Sequence, residues 1–311
     1  MPQFDLDASL ESLGRLAIGH PQAKFVYREL DNLCKRGVRG YQAYCMTLVG
    51  PTGTGKTWTL KRFADERNAE VSGETRGGVE ELPVVYVTAP NFSSEKYLAE
   101  KILSALGDPA AAKGSRDSQA ERLRRRAEAL GTRLIIIDEA QHLVDTRMTK
   151  PDKIRQTAEW MKNLLFESPC AYVYAGLEST EHLVKTNEQL ARRCRGAVKL
   201  DGFPYTSRDE KAFFAKIVDS FVRAAGLPLD VDHKHIYAAI HRATDGRLGS
   251  LSQLFERALD EANTLDLASI DGRCLAGAWN FTPLREISGS TKKITHNPFR
   301  EFVAPKRKAI A

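Results

Sequence analysis

The sequence is poor in the residues that staple small scaffolds together. Its five cysteines, Cys34, Cys45, Cys170, Cys194 and Cys274, are scattered through 311 residues without a CxxC spacing. An odd, dispersed set excludes a disulfide framework and a cysteine-rich zinc site, and fits reduced thiols in a cytoplasmic protein. Long hydrophobic runs are also missing: no 18-residue apolar stretch is present to cross a membrane. Met1-Pro2-Gln3-Phe4-Asp5 lacks the charged-then-apolar order of a secretion signal. No 20–50-residue repeat recurs, which excludes solenoids and propellers. Surplus charge is scarce in the body of the chain. The net charge is +6, but residues 285–311 alone carry seven Lys/Arg against Glu286 and Glu301. At 42% hydrophobic residues, the remainder can bury the core of one large α/β domain and a smaller one.

What is present is a phosphate-binding loop. Gly50-Pro51-Thr52-Gly53-Thr54-Gly55-Lys56-Thr57 follows the apolar run Cys45-Met46-Thr47-Leu48-Val49 and precedes a helical pattern that starts at Trp58. In a strand–loop–helix context the loop amides and the helix N-terminus converge on triphosphate oxygens. Lys56 is expected to bridge the β- and γ-phosphates of ATP, and Thr57 to place its hydroxyl on Mg²⁺. Gly50 to Trp58 are the expected nucleotide-binding residues. About eighty residues on, Leu134-Ile135-Ile136-Ile137 reads as a central parallel strand, buried on both faces, that ends in Asp138-Glu139. Carboxylates at that end lie where α/β sheets bind ligands. Asp138 is expected to hold Mg²⁺ through water, and Glu139 to orient and polarise the attacking water.

Further strands are expected at 84–88, 171–175 and 197–201, alternating with helices. Residues 1–40 have helical spacing, with a break at His20-Pro21, and from Ser207 to about Asp271 the pattern is purely helical. The resulting α/β fold has a five-stranded parallel sheet and a C-terminal helical lid. That arrangement, with P-loop and Asp-Glu on separate strands, resembles an AAA+ P-loop NTPase over roughly residues 15–275. Expected boundaries are an N-terminal helical segment (1–40), the ATPase core (41–205), the lid (206–275) and a basic flexible tail (276–311).

The resemblance implies an arginine supplied by a neighbouring subunit from the end of the helix before the fifth strand. Leu190-Ala191-Arg192-Arg193-Cys194-Arg195 stands there, and Arg193, then Arg192, is the candidate. A cis-acting lid arginine is expected at Arg247, where a helix begins. A solvated basic helix end and a helix-capping turn are the plainer readings of these two sites. The fourth strand departs from the family: it ends Tyr174-Ala175-Gly176 where a polar residue normally helps to orient water. Glu178, Ser179 and Thr180 are the nearest substitutes, and slow, interface-dependent hydrolysis is expected.

Ile18-Gly19-His20-Pro21, the P-loop, and Asp138-Glu139-Ala140-Gln141-His142-Leu143 together resemble the TniB/TnsC-like transposition regulators. The resemblance implies an ATPase that oligomerises as a ring, spiral or filament on double-stranded target DNA. Its implied partners are a transposase and a target-selector protein, with no membrane. Lys96, Lys101, Arg147, Lys150 and Lys153, together with the Arg116–Arg126 cluster, are candidate backbone contacts. The tail, with Phe299 and Phe302, is expected to lie outside the core and dock on the transposase. Another initiator-type ATPase, such as a helicase loader or origin-binding protein, and an ATP-binding scaffold with little turnover remain the alternatives.

Overall fold

A computed structural model describes residues 4–37, 43–76, 78–90, 95–143, 151–231, 233–281 and 296–303. In chain order, α1 (Leu6–Gly14) and α2 (Pro21–Gly37) precede β1 (Cys45–Val49) and α3 (Lys56–Ala69). A short hairpin, β2 (Thr75–Arg76) and β3 (Val79–Glu80), leads to β4 (Val84–Thr88), α4 (Glu95–Ala105) and α5 (Arg116–Ala129). Then come β5 (Leu134–Asp138), α6 (Pro151–Glu167), β6 (Ala171–Gly176), α7 (Glu178–Lys185), α8 (Glu188–Arg193) and β7 (Cys194–Lys199). The remainder is α9 (Arg208–Ala225), β8 (Leu229–Asp230), α10 (His233–Thr244), α11 (Leu248–Thr264), β9 (Ile270–Asp271) and α12 (Gly272–Phe281). Among the described residues, no helix is long and apolar enough to cross a membrane.

Two compact units result. One comprises His20–Pro51 and Lys56–Leu200; the other comprises Met1–Gly19, Thr52–Gly55 and Asp201–Ala311. The first is the α/β unit. Its five strands are ordered β4-β5-β6-β1-β7, and each neighbouring pair is parallel. Strand periodicity sorts the aliphatics to two faces. Ile135, Ile137, Tyr172 and Tyr174 join Leu98, Ile102 and Met161 in one core, while Leu134, Ile136, Val173 and Leu48 join Leu30, Leu60 and Phe63 in the other. Every residue of β1, β5 and β6 is buried, as a parallel sheet covered on both sides requires. Because the strands are parallel, β1, β5 and β6 all end on one sheet edge, where the P-loop starts and Asp138 stands.

The fifth expected strand starts earlier than the sequence pattern implies. β7 begins at Cys194, inside the basic stretch, because Cys45 and Cys194 are register partners. As the sheet's edge it is mostly exposed.

The second unit is helical. Ser207 and Glu210 form a capping box at the start of α9. Gly226, at φ 71°, ends that helix in the left-handed conformation. Phe214, Phe221, Ile240, Leu254, Phe255, Leu275 and Trp279 build its core.

Three expected boundaries shift. The N-terminal helices divide: Leu13 of α1 is buried in the helical unit's core, whereas Val26, Leu30 and Leu33 of α2 belong to the α/β core. The lid does not end at 275, since α12 continues to Phe281 with Trp279 as its buried anchor. Nor does everything from 276 lie outside the core. Phe299 is 0% exposed within the helical unit, and Asn297 Nδ2 donates to the Ala276 carbonyl at 2.9 Å. Its aromatic ring therefore serves the chain's own core rather than an exposed docking face. The rest of the basic tail, residues 282–295 and 304–311, lies outside the described residues.

Candidate functional site

The P-loop is built on close backbone approach. A Cβ on Gly50 would stand 2.0 Å from the Leu200 carbonyl oxygen, so only glycine fits beside β7. Gly55 takes φ 94°, which side chains with a Cβ rarely adopt, and hands the chain to α3. The Lys56 ammonium, 6% exposed, donates to the carbonyls of Gly50 and Pro51 at 2.7 and 2.8 Å. It is thus held over the mouth of the loop. Thr52 to Gly55 belong to the helical unit, where the Gly249 amide donates to the Gly53 carbonyl at 2.8 Å. Thr54 is buried, whereas Trp58 is 41% exposed with the Arg62 guanidinium 5.1 Å from its ring.

Thr57 and Asp138, 81 residues apart in sequence, meet directly. Thr57 Oγ1 donates to Asp138 Oδ2 at 2.6 Å, and Tyr86 Oη donates to the same oxygen at 2.7 Å. Burial and the adjacent Asp138 carboxylate together push the Tyr86 phenol well above its ordinary value, so it stays a donor. Asp138 Oδ1 accepts the amide of Glu139 at 2.8 Å. Sequence reading missed Tyr86; its signal was a lone phenol within the otherwise aliphatic strand Val84-Val85-Tyr86-Val87.

Glu139 has a left-handed backbone, φ 54°, which costs a residue with a Cβ roughly 1–2 kcal/mol. That turn carries its carboxylate off the strand end, where Gln141 Nε2 donates to Oε2. His142 Nε2 lies 3.8 Å from the same oxygen. Gln141 was also missed as a functional residue, although it is part of the quoted motif.

The residue types suit Mg²⁺. One carboxylate and one hydroxyl at the P-loop, with no cluster of three or more His, Cys, Asp or Glu among the described residues, match a cation that relies on substrate phosphates and water.

Most of the other candidates have partners of their own. Arg193, the last residue of α8, stacks its guanidinium 3.4 Å from the Phe166 ring centre; Arg192 pairs with Glu188 at 3.7 Å. Neither forms an ion pair with Asp138 or Glu139 among the described residues. Arg247 opens α11, is 4% exposed and pairs with Asp245 at 2.9 Å. Of the substitutes after β6, Glu178 pairs with Lys199 and Thr180 is fully buried. Among the DNA candidates, Lys96 and Lys101 are exposed on α4, but Lys153 pairs with Glu95 at 2.7 Å. Arg147 and Lys150 lie outside the described residues. Much of the Arg116–Arg126 cluster is used internally: Arg122 binds Asp108, and Arg124 and Arg125 bind Glu121.

Comparison with known proteins agrees with this architecture. The fold is that of the Cdc6p structure from Pyrobaculum aerophilum (TM-score 0.61, 17% identity, 86% of this chain and 69% of that one). It is equally that of the Aeropyrum pernix ORC1 protein in complex with DNA (0.59, 20%, 86% and 68%). Drosophila ORC bound to DNA gives 0.54 at 15% identity, covering 89% of this chain and 67% of that one. At such identities the likeness speaks for the AAA+ fold alone. No curated protein matches the sequence. The family described as "Bacterial TniB protein", however, matches residues 15–201, which is more than half of the chain and holds the P-loop, Asp138 and Glu139. The chain, an AAA+ fold with a P-loop and an acidic strand end on one sheet edge, is a member of the TniB family.

Proposed function

We propose that this protein is an ATP-dependent, DNA-binding regulator of transposition in the cytoplasm, which oligomerises on duplex target DNA and activates a transposase. The observation that carries the reading is the meeting of Thr57 and Asp138 at 2.6 Å with Glu139 next in the chain. A P-loop hydroxyl, a metal-type carboxylate and a second acid beside them are the parts that phosphoryl transfer to water needs. Mg²⁺ held by Thr57 and, through water, Asp138 would neutralise charge on the β- and γ-phosphates. Lys56 would exchange the Gly50 and Pro51 carbonyls for phosphate oxygens, so its position is set before substrate arrives. Glu139 would accept the proton of the attacking water.

Arg193 would complete the pocket of a neighbouring subunit, which makes turnover slow in the monomer and dependent on assembly. Arg247 would contact the nucleotide from the lid. Family membership supports the transposition reading, and ORC structures solved with DNA support a duplex-binding role. Exposed Lys96 and Lys101 are the backbone contacts this reading favours. The likeness to Cdc6p and ORC favours, as a second reading, an initiator that loads other factors at origins.

The test is ATP turnover and sedimentation with duplex DNA. Glu139→Gln should bind ATP and form long-lived DNA complexes but lose hydrolysis, by roughly the 10²–10⁴-fold that a general base supplies. Wild-type turnover by that variant would refute the catalytic assignment. Stimulation of a co-encoded integrase-like transposase, rather than of a helicase, decides between the two readings.

A further inference from the structure

The strand that should supply a polar residue beside the catalytic acid ends instead in Tyr174-Ala175-Gly176. That space is filled. A Cβ on Gly176 would lie 2.1 Å from Gln141 Oε1, 2.6 Å from Thr180 Oγ1 and 3.3 Å from the Ala140 amide. Gly176 is therefore not a gap in the site but the clearance that lets Gln141 in. The Gln141 amide then spans two elements. Oε1 accepts the Leu177 backbone amide at 3.1 Å, just past the end of β6, while Nε2 donates to Glu139 Oε2. Its orientation is fixed by chemistry: a backbone N–H can only donate and an ionised carboxylate can only accept, so the reversed amide would lose both bonds. Glu139 needs such a brace. It stands on a left-handed backbone with a half-exposed side chain, and His142, at 3.8 Å and 40% exposed, is too far to fix it.

We propose that Gln141 is the positioning residue for Glu139, holding its carboxylate from within the acidic motif. The inference rests on the reading of Glu139 as the group that orients the attacking water. Gln141 ties that carboxylate to the C-terminal end of β6, so the acid keeps its aim. Gly176 is the second half of the device, since any side chain there evicts the amide. No bond to nucleotide is required of either residue.

Steady-state ATP hydrolysis on the full chain with duplex DNA tests this, with nucleotide affinity measured in parallel. Gln141→Met keeps the volume and removes both hydrogen bonds. It should lower kcat by roughly ten- to a hundredfold, as misaimed catalytic groups do, with KM and nucleotide affinity within about twofold of wild type. Gly176→Ala leaves Gln141 and Glu139 chemically intact but should reproduce the same split. Because both act through one contact, the double variant should be no slower than the worse single one. Wild-type kcat in Gln141→Met, with Glu139→Gln inactive, overturns the inference while leaving the hydrolysis reading standing. Losses that multiply in the double variant overturn it as well. Wild-type turnover by Glu139→Gln would instead remove the hydrolysis reading itself, and this inference with it.

Discussion

Asp138 Oδ2 carries two hydroxyl donors, and one of them belongs to a residue with no other duty in the site. Tyr86→Phe removes one of those bonds from a fully buried carboxylate. We expect apparent affinity for ATP with Mg²⁺ to fall about tenfold, the lower range for a supporting residue around a metal, in fluorescent nucleotide titrations. Glu95 offers a pH-dependent counterpart. Burial alone would raise its pKa, but hydrogen bonds from Lys153, its own backbone and Thr157 bring it below the ordinary 4.5. A depressed carboxylate stabilises the fold above its unfolded value, and that contribution disappears as pH falls through the lower, folded one. Wild type should therefore lose Tm between neutral pH and the range below 4.5 more steeply than Glu95→Gln, in paired thermal unfolding scans. Chemistry at this scale was legible wherever one short segment contains it. Gly50 to Thr57 and Asp138-Glu139 announce themselves by type and spacing. Tyr86 and Gln141 do not, because the partners that give them meaning, Asp138 and Leu177, stand 52 and 36 residues away in the chain.

Helices and strands were readable to the extent that their periodicity was uninterrupted. β5 and α9 are strong patterns with clear ends, one closed by acids and the other opened by Ser207. α12 was not, because Gly272, Gly277 and small residues dilute its apolar face, which Cys274, Leu275, Ala278 and Trp279 mark. β7 was shifted because its exposed edge carries Arg195 and Gly196, which read as loop. Ser207→Ala should destabilise the helical unit by about 1 kcal/mol, since it opens the capping box, and chemical denaturation will measure it. Phe299→Ala is a harsher test. A fully buried phenyl ring truncated to methyl costs about 3–5 kcal/mol, so the helical unit should unfold at visibly lower denaturant. A loss below about 0.5 kcal/mol would mean the segment does not dock.

For the whole molecule, subunit complementation is the decisive experiment. Arg193→Ala and Lys56→Ala subunits should each be nearly inactive alone, yet mixing them should restore part of the ATPase, because one lends the arginine to the other's intact pocket. No recovery at any ratio, with assembly preserved, would leave Arg193 as a support for exposed Phe166. Buried Phe299 also changes what shortening the chain can reveal. A truncation after Thr282 would remove Phe299 together with Arg285, Lys292 and Lys293, so any DNA binding it abolished would mix lost packing in the helical unit with lost charge.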